Sequence, residues 1–159
     1  MERSKRLVVI RIRGTVEASQ QIKDTLDILR LRKTNVATVV DDRPAFLGMI
    51  KKVEPWIAWG EISPDMFKNL LLKRGRLEGD KRITEDYIKE NLGYSLDEFV
   101  EKFFKFEVEL TDIPKIKPFF RLKPPSKGFP RKGIKYSVKQ GGSWGYWGEN
   151  INGLLERMI

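Results

Sequence analysis

The stretch VVDDRPAFLGMIKKV, residues 39–53, passes from the pattern of a strand to the pattern of a helix. A β-branched run ends at two acids, and Pro44 stands where proline is favoured as the first residue of a helix. Apolar residues then recur at helical spacing, which predicts one buried stripe and leaves Lys51 and Lys52 on the other side. The stretch therefore predicts a strand, a helix start and a helix with an exposed cationic side.

Asp41 and Asp42 at this junction allow two interpretations. Neighbouring carboxylates can hold a divalent metal or share a proton, but carboxylates before a helix also accept hydrogen bonds from its free amides and favour its dipole. No third acid lies nearby in the sequence, and the chain contains no histidine. We therefore interpret the two aspartates as helix caps and expect neither catalysis nor a metal site there.

Gly48 lies inside the predicted helix, where glycine costs about 1 kcal/mol relative to alanine. Two explanations for this cost stay open. Another backbone, of protein or nucleic acid, approaches the helix closely at this point, or the glycine packs directly against the sheet.

The composition narrows the possible functions of the 159 residues. Without cysteine there are no disulfides, zinc–thiolate sites or thiol nucleophiles, and without histidine the commonest general base and metal ligand is missing. No apolar run is long enough to span a bilayer, and the first residues lack the pattern of a signal peptide. We expect a cytoplasmic protein of one domain or of a small core with an appended region, and no membrane partner.

Working outward from residues 39–53, the pattern β-α-β-α-β occupies the first sixty residues. Strands are predicted at Leu7–Arg13, at Asn35–Val40 and at Pro55–Ile62. The first helix is predicted after Ser19, a plausible N-cap. Such an order predicts a small sheet with both helices on one face.

The remaining chain predicts further helices and a basic tail region. A helix is expected from Pro64 to a stop at Gly75, and Thr84 and Ser95 open two more. The alternating stretch FEVEL, residues 106–110, predicts a strand, and Asn150 is expected to cap a last helix. The late segment, rich in Pro, Gly and aromatics, is expected to hold a strand or two. We divide the chain into residues 1–62, 63–112 and 113–159.

Charge is distributed unevenly over these parts. The net charge is +9, and residues 113–148 contain nine lysines and arginines but no acid. Residues 77–112 contain eleven acids against five basic residues. A long cationic segment focuses potential on a polyanion. We expect the basic segment to face a nucleic acid and the acidic segment to face away, unless the acids pair with the protein's own late lysines.

Two further motifs bear on function. The stretch LRLRKTN, residues 29–35, places three cations where the first helix gives way to the second strand, which suits phosphate contacts and also complements the helix dipole. The stretch GGSWGYWG, residues 141–148, lacks the spacing of a phosphate-binding glycine loop. Its aromatic residues are expected to pack on the domain, and the alternative that one of them stacks on an unpaired base stays open.

Taken together, these motifs resemble the family of large-subunit ribosomal proteins numbered thirty in bacteria and archaea and seven in eukaryotes. The residues that carry the resemblance are Gly14, Thr25 with Leu26, LRLRKTN and DDRPAFLGMIKKV, within Leu7–Ile62. The later stretches SPDMFKNLLLKRGRLEG and GGSWGYWGENINGLLERMI are similar to the archaeal and eukaryotic form, which carries a C-terminal extension, although the two tryptophans of SWGYWG depart from its motif. The long basic N-terminal arm of eukaryotic members is missing, which favours an archaeal source.

The resemblance implies an α+β fold with a ferredoxin-like βαβαβ core, its antiparallel sheet small, and an α/β extension. It implies a structural protein of the ribosome that binds large-subunit ribosomal RNA, near the 5S RNA region and neighbouring ribosomal proteins, with no enzymatic role, cofactor or small-molecule substrate. The alternative function is a free RNA chaperone or a nucleic-acid-binding regulator. The RNA contacts are expected at Arg30, Arg32, Lys33, Asn35, Arg43, Lys51, Lys52, Lys115, Lys117, Arg121, Lys123, Lys127, Arg131, Lys132, Lys135 and Lys139.

Overall fold

The computed structural model describes residues 5–129 and 132–159, so the expected contact residue Arg131 lies outside the described residues. The first part of the chain forms β1 Arg6–Arg11, α1 Gln20–Ile28, β2 Val36–Asp41, α2 Pro44–Lys52 and β3 Ile57–Glu61. The middle part forms α3 Pro64–Arg74, α4 Glu85–Leu92 and α5 Leu96–Phe104. The last part forms β4 Phe120–Arg121, β5 Gly145–Tyr146 and α6 Ile151–Met158. The predicted α+β fold with a βαβαβ core is confirmed.

The strands form one sheet in the order β4-β2-β1-β3-β5. Strand β1 lies at its centre, antiparallel to both neighbours, with Val9 opposite Thr38 on β2 and Trp59 on β3. Beyond these, β4 pairs antiparallel with β2, and β5 pairs parallel with β3. The late part of the chain therefore adds a short strand to each edge of the sheet that the first part builds.

Every residue of β1 is buried because helices cover both faces of the sheet. Successive side chains of a strand point to opposite faces. Leu7 and Val9 pack with residues of α1 and α2, on what we call the α1/α2 face. Val8 and Ile10 pack with residues of α3, α5 and α6, on what we call the extension face. This double burial explains why the run LVVI in β1 is apolar throughout, as in a strand covered on both sides.

Arg6, at the start of β1, is a buried cation that joins the sheet to the extension. Its guanidinium donates to the carbonyl of Phe103 at 3.0 Å, to the carbonyl of Val108 at 3.2 Å and to the carboxylate of Glu109 at 3.1 Å. It also lies 3.8 Å from the centroid of the Phe103 ring. Because buried charges need such partners, these contacts fix the end of α5 against β1.

Arg11, at the other end of β1, is buried within the first part of the chain. Its guanidinium donates to the carbonyls of Arg13 and Leu31 and to the hydroxyl of Thr15, at 3.0, 3.2 and 3.1 Å. Burial lowers its pKa, and the opposing charge of Asp27 only partly offsets this. Arg11 thereby ties β1 to the turn between α1 and β2.

Local signals in the sequence set most helix starts. The side chains of Ser19, Ser63, Thr84 and Ser95 each accept a hydrogen bond from a backbone amide three residues ahead, as predicted for N-caps. Asn150 makes no such bond, so its predicted capping role is wrong. None of the described helices reaches the length and hydrophobicity that a bilayer crossing requires.

The strand predicted at residues 106–110 is also wrong. Phe106 has φ 64°, a left-handed conformation that does not continue a strand. The carbonyl of Val108 and the carboxylate of Glu109 instead bind Arg6, and a short 3-10 helix begins at Leu110. The buried charge of Arg6 thus decides the path of this segment in place of its alternating hydrophobicity.

Candidate nucleic-acid interface

The turn after α1 presents three of the expected RNA-contact side chains. The amides of Arg30 and Leu31 donate to carbonyls in the last turn of α1 at 2.9 and 2.8 Å. These paired bonds form a Schellman C-cap. Leu31 is buried on the α1/α2 face, whereas Arg30, Arg32 and Lys33 are exposed. The buried leucine therefore fixes a turn whose cationic side chains face outward.

Arg30 occupies the position of this motif that usually carries glycine, with φ 64°. The left-handed conformation costs a residue with a side chain about 1–2 kcal/mol. Lys115 and Lys127, two further expected contacts, are likewise at φ 61° and 66°. Three of the expected contacts thus keep a backbone conformation that is costly for a residue with a side chain.

Asn35 holds two parts of the chain together through hydrogen bonds of its backbone. It has φ 67°, which asparagine tolerates better than most residues. Its amide donates to the carbonyl of Arg11 at 2.7 Å, and its carbonyl accepts from the amide of Leu122 at 2.8 Å. Asn35 therefore links β1 to the late segment directly after β4 and brings that segment next to the turn after α1.

This link creates a cationic cleft of about 460 Å³ between the turn after α1 and β4. The cations that line it are Arg30, Arg32, Lys33 and Arg121. The structure thus brings the LRLRKTN motif together with one residue of the basic late segment. Val36, Pro118 and Phe119 supply an apolar floor. We call this feature the cationic cleft.

A larger groove of about 710 Å³, lined by residues of β2 and α2, shares Arg30 and Pro118 with the cationic cleft. Arg30 and Arg43 both line this groove, together with Phe46 and Met49. The guanidinium of Arg43 lies 5.0 Å from the centroid of the Phe46 ring. Arg43 therefore lines the same groove as Arg30, which also lines the cationic cleft.

Helix α2 carries Lys51 and Lys52 on its exposed side, as its apolar stripe predicted. Ile50 and Val53 are fully buried and hold the helix against the sheet. Gly48 is exposed, and a side chain added there would meet no atom within 4 Å among the described residues. The idea that this glycine packs against the sheet is therefore wrong, and close approach of a partner remains the open explanation.

The capping role predicted for the aspartates needs correction. Arg43, whose side chain makes no capping bond, immediately precedes α2. Asp41 is buried, and its Oδ1 accepts from the Arg43 amide at 3.1 Å and from Arg43 Nε at 2.8 Å. Its carboxylate thus closes a turn before the helix and pairs with Arg43. Among the described residues no three acids are grouped as metal ligands would be.

Among the late-segment cations that the structure describes, all are exposed apart from the half-buried Lys117. The exposed ones are Lys115, Arg121, Lys123, Lys127, Lys132, Lys135 and Lys139. The amide of Lys123 donates to the carbonyl of Met158 at 3.1 Å, which places this part of the segment beside the end of α6. Among the described late cations, Arg121 alone lines the cationic cleft.

One acid of the middle segment lies directly against the basic segment. Asp80 accepts from Lys117 at 2.8 Å and from Arg121 at 3.2 Å. The hydrogen bond from Lys117, and then the charge of Arg121, lower the pKa of the Asp80 carboxyl. The separation expected between acidic and basic segments therefore does not hold at Asp80, where the acid pairs with the protein's own late cations.

The stretch SWGYWG contains β5, which lies at the opposite edge of the sheet from β4. The amide of Trp147 donates to the carbonyl of Trp59 at 2.7 Å, and its indole donates to the carbonyl of Ser143. Trp144 and Trp147 pack against the extension face, as expected. Tyr146 is half exposed, lies 4.6 Å from the Trp59 ring and donates to Glu61. That bond raises the pKa of Tyr146 to about 12.

Sequence reasoning missed the apolar floor of the cationic cleft. Phe119 and Arg121 flank Phe120, which is fully buried on the extension face. Because alternate residues of a strand share a side, the pattern FFR placed Phe119 and Arg121 on one face. Only the structure shows that this face meets the turn after α1.

The fold and this surface define a small α+β protein with a cationic cleft suited to a polyanion. The profile of the family described as Ribosomal protein L30p/L7e matches residues 7–57. The chain is 48% identical over 149 residues to the large ribosomal subunit protein uL30 of Methanopyrus kandleri, covering 93% of this chain and 100% of that protein. It is 45% identical over 153 residues to the protein of the same name in Methanobrevibacter smithii, covering 96% and 99%. The chain belongs to the L30p/L7e family of ribosomal proteins, so the resemblance seen in the sequence is confirmed.

Proposed function

We propose that the chain is a structural constituent of the large ribosomal subunit in the cytoplasm, where it binds and stabilises large-subunit ribosomal RNA and has no enzymatic role. Its relatives are named as proteins of that subunit and match it over nearly its whole length. The finer proposal places it near the 5S RNA region, in contact with neighbouring ribosomal proteins.

The observation that carries this proposal is the cationic cleft. Its four cations come from two segments about ninety positions apart, and none of the described lining residues is an acid. Phosphate neutralisation by such groups dominates affinity for nucleic acid. The strained backbone of Arg30 supports the same conclusion, since glycine would suit its conformation better.

Sedimentation tests this function against a free RNA chaperone. After lysis, the protein is followed through a density gradient at low and at high salt. A constituent held by many contacts stays with the large subunit in both gradients. A chaperone stays at the top, or leaves the subunit once salt screens its phosphate contacts. Release at high salt, with no return on lowering the salt, would reject the structural role.

The salt dependence of RNA binding tests the part played by α2. Replacing Lys51 and Lys52 with alanine should make the plot of log K against log salt shallower by roughly one to two units, because each phosphate contact adds about one. Affinity for large-subunit ribosomal RNA is measured at several salt concentrations. The matched control replaces Lys81 and Lys89, two exposed lysines of the acidic segment, with the same change in net charge. Equal salt slopes for the two double variants would show that α2 does not contact the RNA.

A further inference from the structure

The floor of the cationic cleft is more apolar than phosphate binding requires. Val36, Pro118 and Phe119 form it, and Phe119 is half-buried against the α1/α2 face. A site that only neutralises phosphates gains nothing from an aromatic ring at its base. Flat aromatic groups, by contrast, are favourable partners for such a ring.

The volume and the placement of charge suit one nucleotide. The cleft holds about 460 Å³, within the range of pockets that enclose small organic ligands. Arg30, Arg32 and Lys33 line it from the turn after α1, and Arg121 lines it from β4. A base can lie on the floor while the phosphates on either side of it meet these cations.

Arg121 is held in place for such a role. Its guanidinium lies 5.9 Å from the centroid of the Phe119 ring, and its NH2 group donates to Asp80 at 3.2 Å. The hydrogen bond to Asp80 restrains the exposed side chain of Arg121 beside the Phe119 ring. A guanidinium kept next to an aromatic ring offers both a flat surface and a charge to a nucleotide.

We propose that the cationic cleft binds a single unpaired nucleotide of RNA, with its base stacked on Phe119 and its flanking phosphates on Arg30, Arg32, Lys33 and Arg121. This inference rests on the proposed RNA-binding function and specifies the class of RNA element at this site. Bases in a regular duplex are stacked inside it, so only a bulge, loop or end can supply such a base.

The test compares two short RNA duplexes that differ in one feature. One carries a single bulged nucleotide whose base is a fluorescent purine analogue quenched by stacking, and the other is fully paired. The full-length chain should bind the bulged duplex roughly 5- to 150-fold more tightly, which is the affinity that one stacked base contributes. Binding should also quench the analogue.

Variants at Phe119 assign that preference to the cleft. Phe119→Leu should remove most of the preference for the bulge and leave the salt dependence unchanged, whereas Phe119→Trp should keep the preference. Tyr136→Leu is the matched control, because Tyr136 is an exposed aromatic residue beside Lys132 and outside the cleft. Circular dichroism checks that each variant is folded. The comparison of the two duplexes with the wild-type chain tests the proposal even if a variant fails to fold.

The outcomes separate this inference from the function on which it rests. Equal binding of both duplexes by the wild-type chain would overturn nucleotide insertion and leave RNA binding intact. An undiminished preference in Phe119→Leu would also overturn it. Failure to bind either duplex or ribosomal RNA would reject the proposed function itself. Adenosine monophosphate should compete only weakly, because it lacks the flanking phosphates, and competition equal to that of the bulged RNA would overturn the assignment to RNA.

Discussion

The two faces of the sheet are packed by different means. The buried hydrophobic residues of the α1/α2 face are all aliphatic and come from the first 57 residues. The extension face is built around four fully buried phenylalanines, and Phe67 stacks on Phe103 with ring centroids 4.3 Å apart. Segments that return from far along the chain thus contribute large side chains, each of which buries more surface than an aliphatic one. The extension completes the core of the sheet, and the following predictions test how tightly the two faces are coupled.

The largest effect is expected on the extension face. Phe103→Ala should lower the free energy of unfolding by about 3–5 kcal/mol, because a buried ring is replaced by a cavity. Denaturant unfolding, followed by circular dichroism and by tryptophan fluorescence, measures the loss. Leu29→Ala is the matched variant on the α1/α2 face. If both faces belong to one cooperative unit, the two signals coincide in each variant. Separate transitions would show that the extension unfolds as its own domain.

Arg6→Met should lower the free energy of unfolding by about 3 kcal/mol, the lower end of the range for removing one member of a buried charged network. The change leaves the carbonyls of Phe103 and Val108 without their charged donor. Glu109→Gln is the comparison, and a loss below about 1 kcal/mol is expected because Glu109 reaches solvent. A loss for Arg6→Met no larger than that for Glu109→Gln would mean that Arg6 does not couple the faces.

Arg30→Gly should change stability and binding in opposite directions. The free energy of unfolding should rise by up to about 1 kcal/mol, because the left-handed conformation suits glycine. Affinity for RNA should fall, and the salt slope should become shallower by about one unit. Thermal unfolding and RNA titration of the same preparation give both values. Arg32→Gly, in the same turn, should weaken binding without the gain in stability. A less stable Arg30→Gly protein would contradict the strain argument.

The smallest effect concerns the bond between β5 and β3. The Tyr146 hydroxyl donates to Glu61 only while it is protonated, and this bond raises its pKa from 10 to about 12. Its contribution to stability is therefore complete below pH 10 and is lost as the pH rises through about 12. Unfolding of the wild-type chain and of Tyr146→Phe, measured across this range, should differ by less than about 1 kcal/mol, with the difference vanishing at the alkaline end. A difference that does not change with pH would exclude this bond as its cause.

Much of the fold could be predicted because its signals are local. Ser19, Ser63, Thr84 and Ser95 act on amides three residues away, and proline sets the start of α2 through its own ring. The strand expected at residues 106–110 failed because Arg6, about a hundred positions earlier, binds that segment. The alternation of polar and apolar residues within this segment cannot reveal a partner as distant in the sequence as Arg6.

The sequence was sufficient to predict the cations of the candidate site, but it was not sufficient to predict how the fold brings them together. LRLRKTN and the basic late segment identified all four cations of the cleft. Their meeting depends on Asn35, whose carbonyl binds the amide of Leu122. Two-residue strands such as β4 carry too little pattern to be located in advance. The expected RNA contacts, inside the cleft as well as on α2 and along the late segment, all remain predictions.

The pairing of β5 with β3 also affects how the protein is made. Tyr146 follows its partner Glu61 by 85 positions. At the usual speed of synthesis, roughly 5–20 residues per second, the ribosome needs on the order of 4–17 s to add that length. During this interval β3 has a bare edge and the extension face of the sheet is incompletely covered, both of which favour aggregation. The nascent chain therefore depends on its later segments for protection. Because β3 and β5 pair across about 85 positions, folding is expected to be slow and to finish only after β5 has emerged.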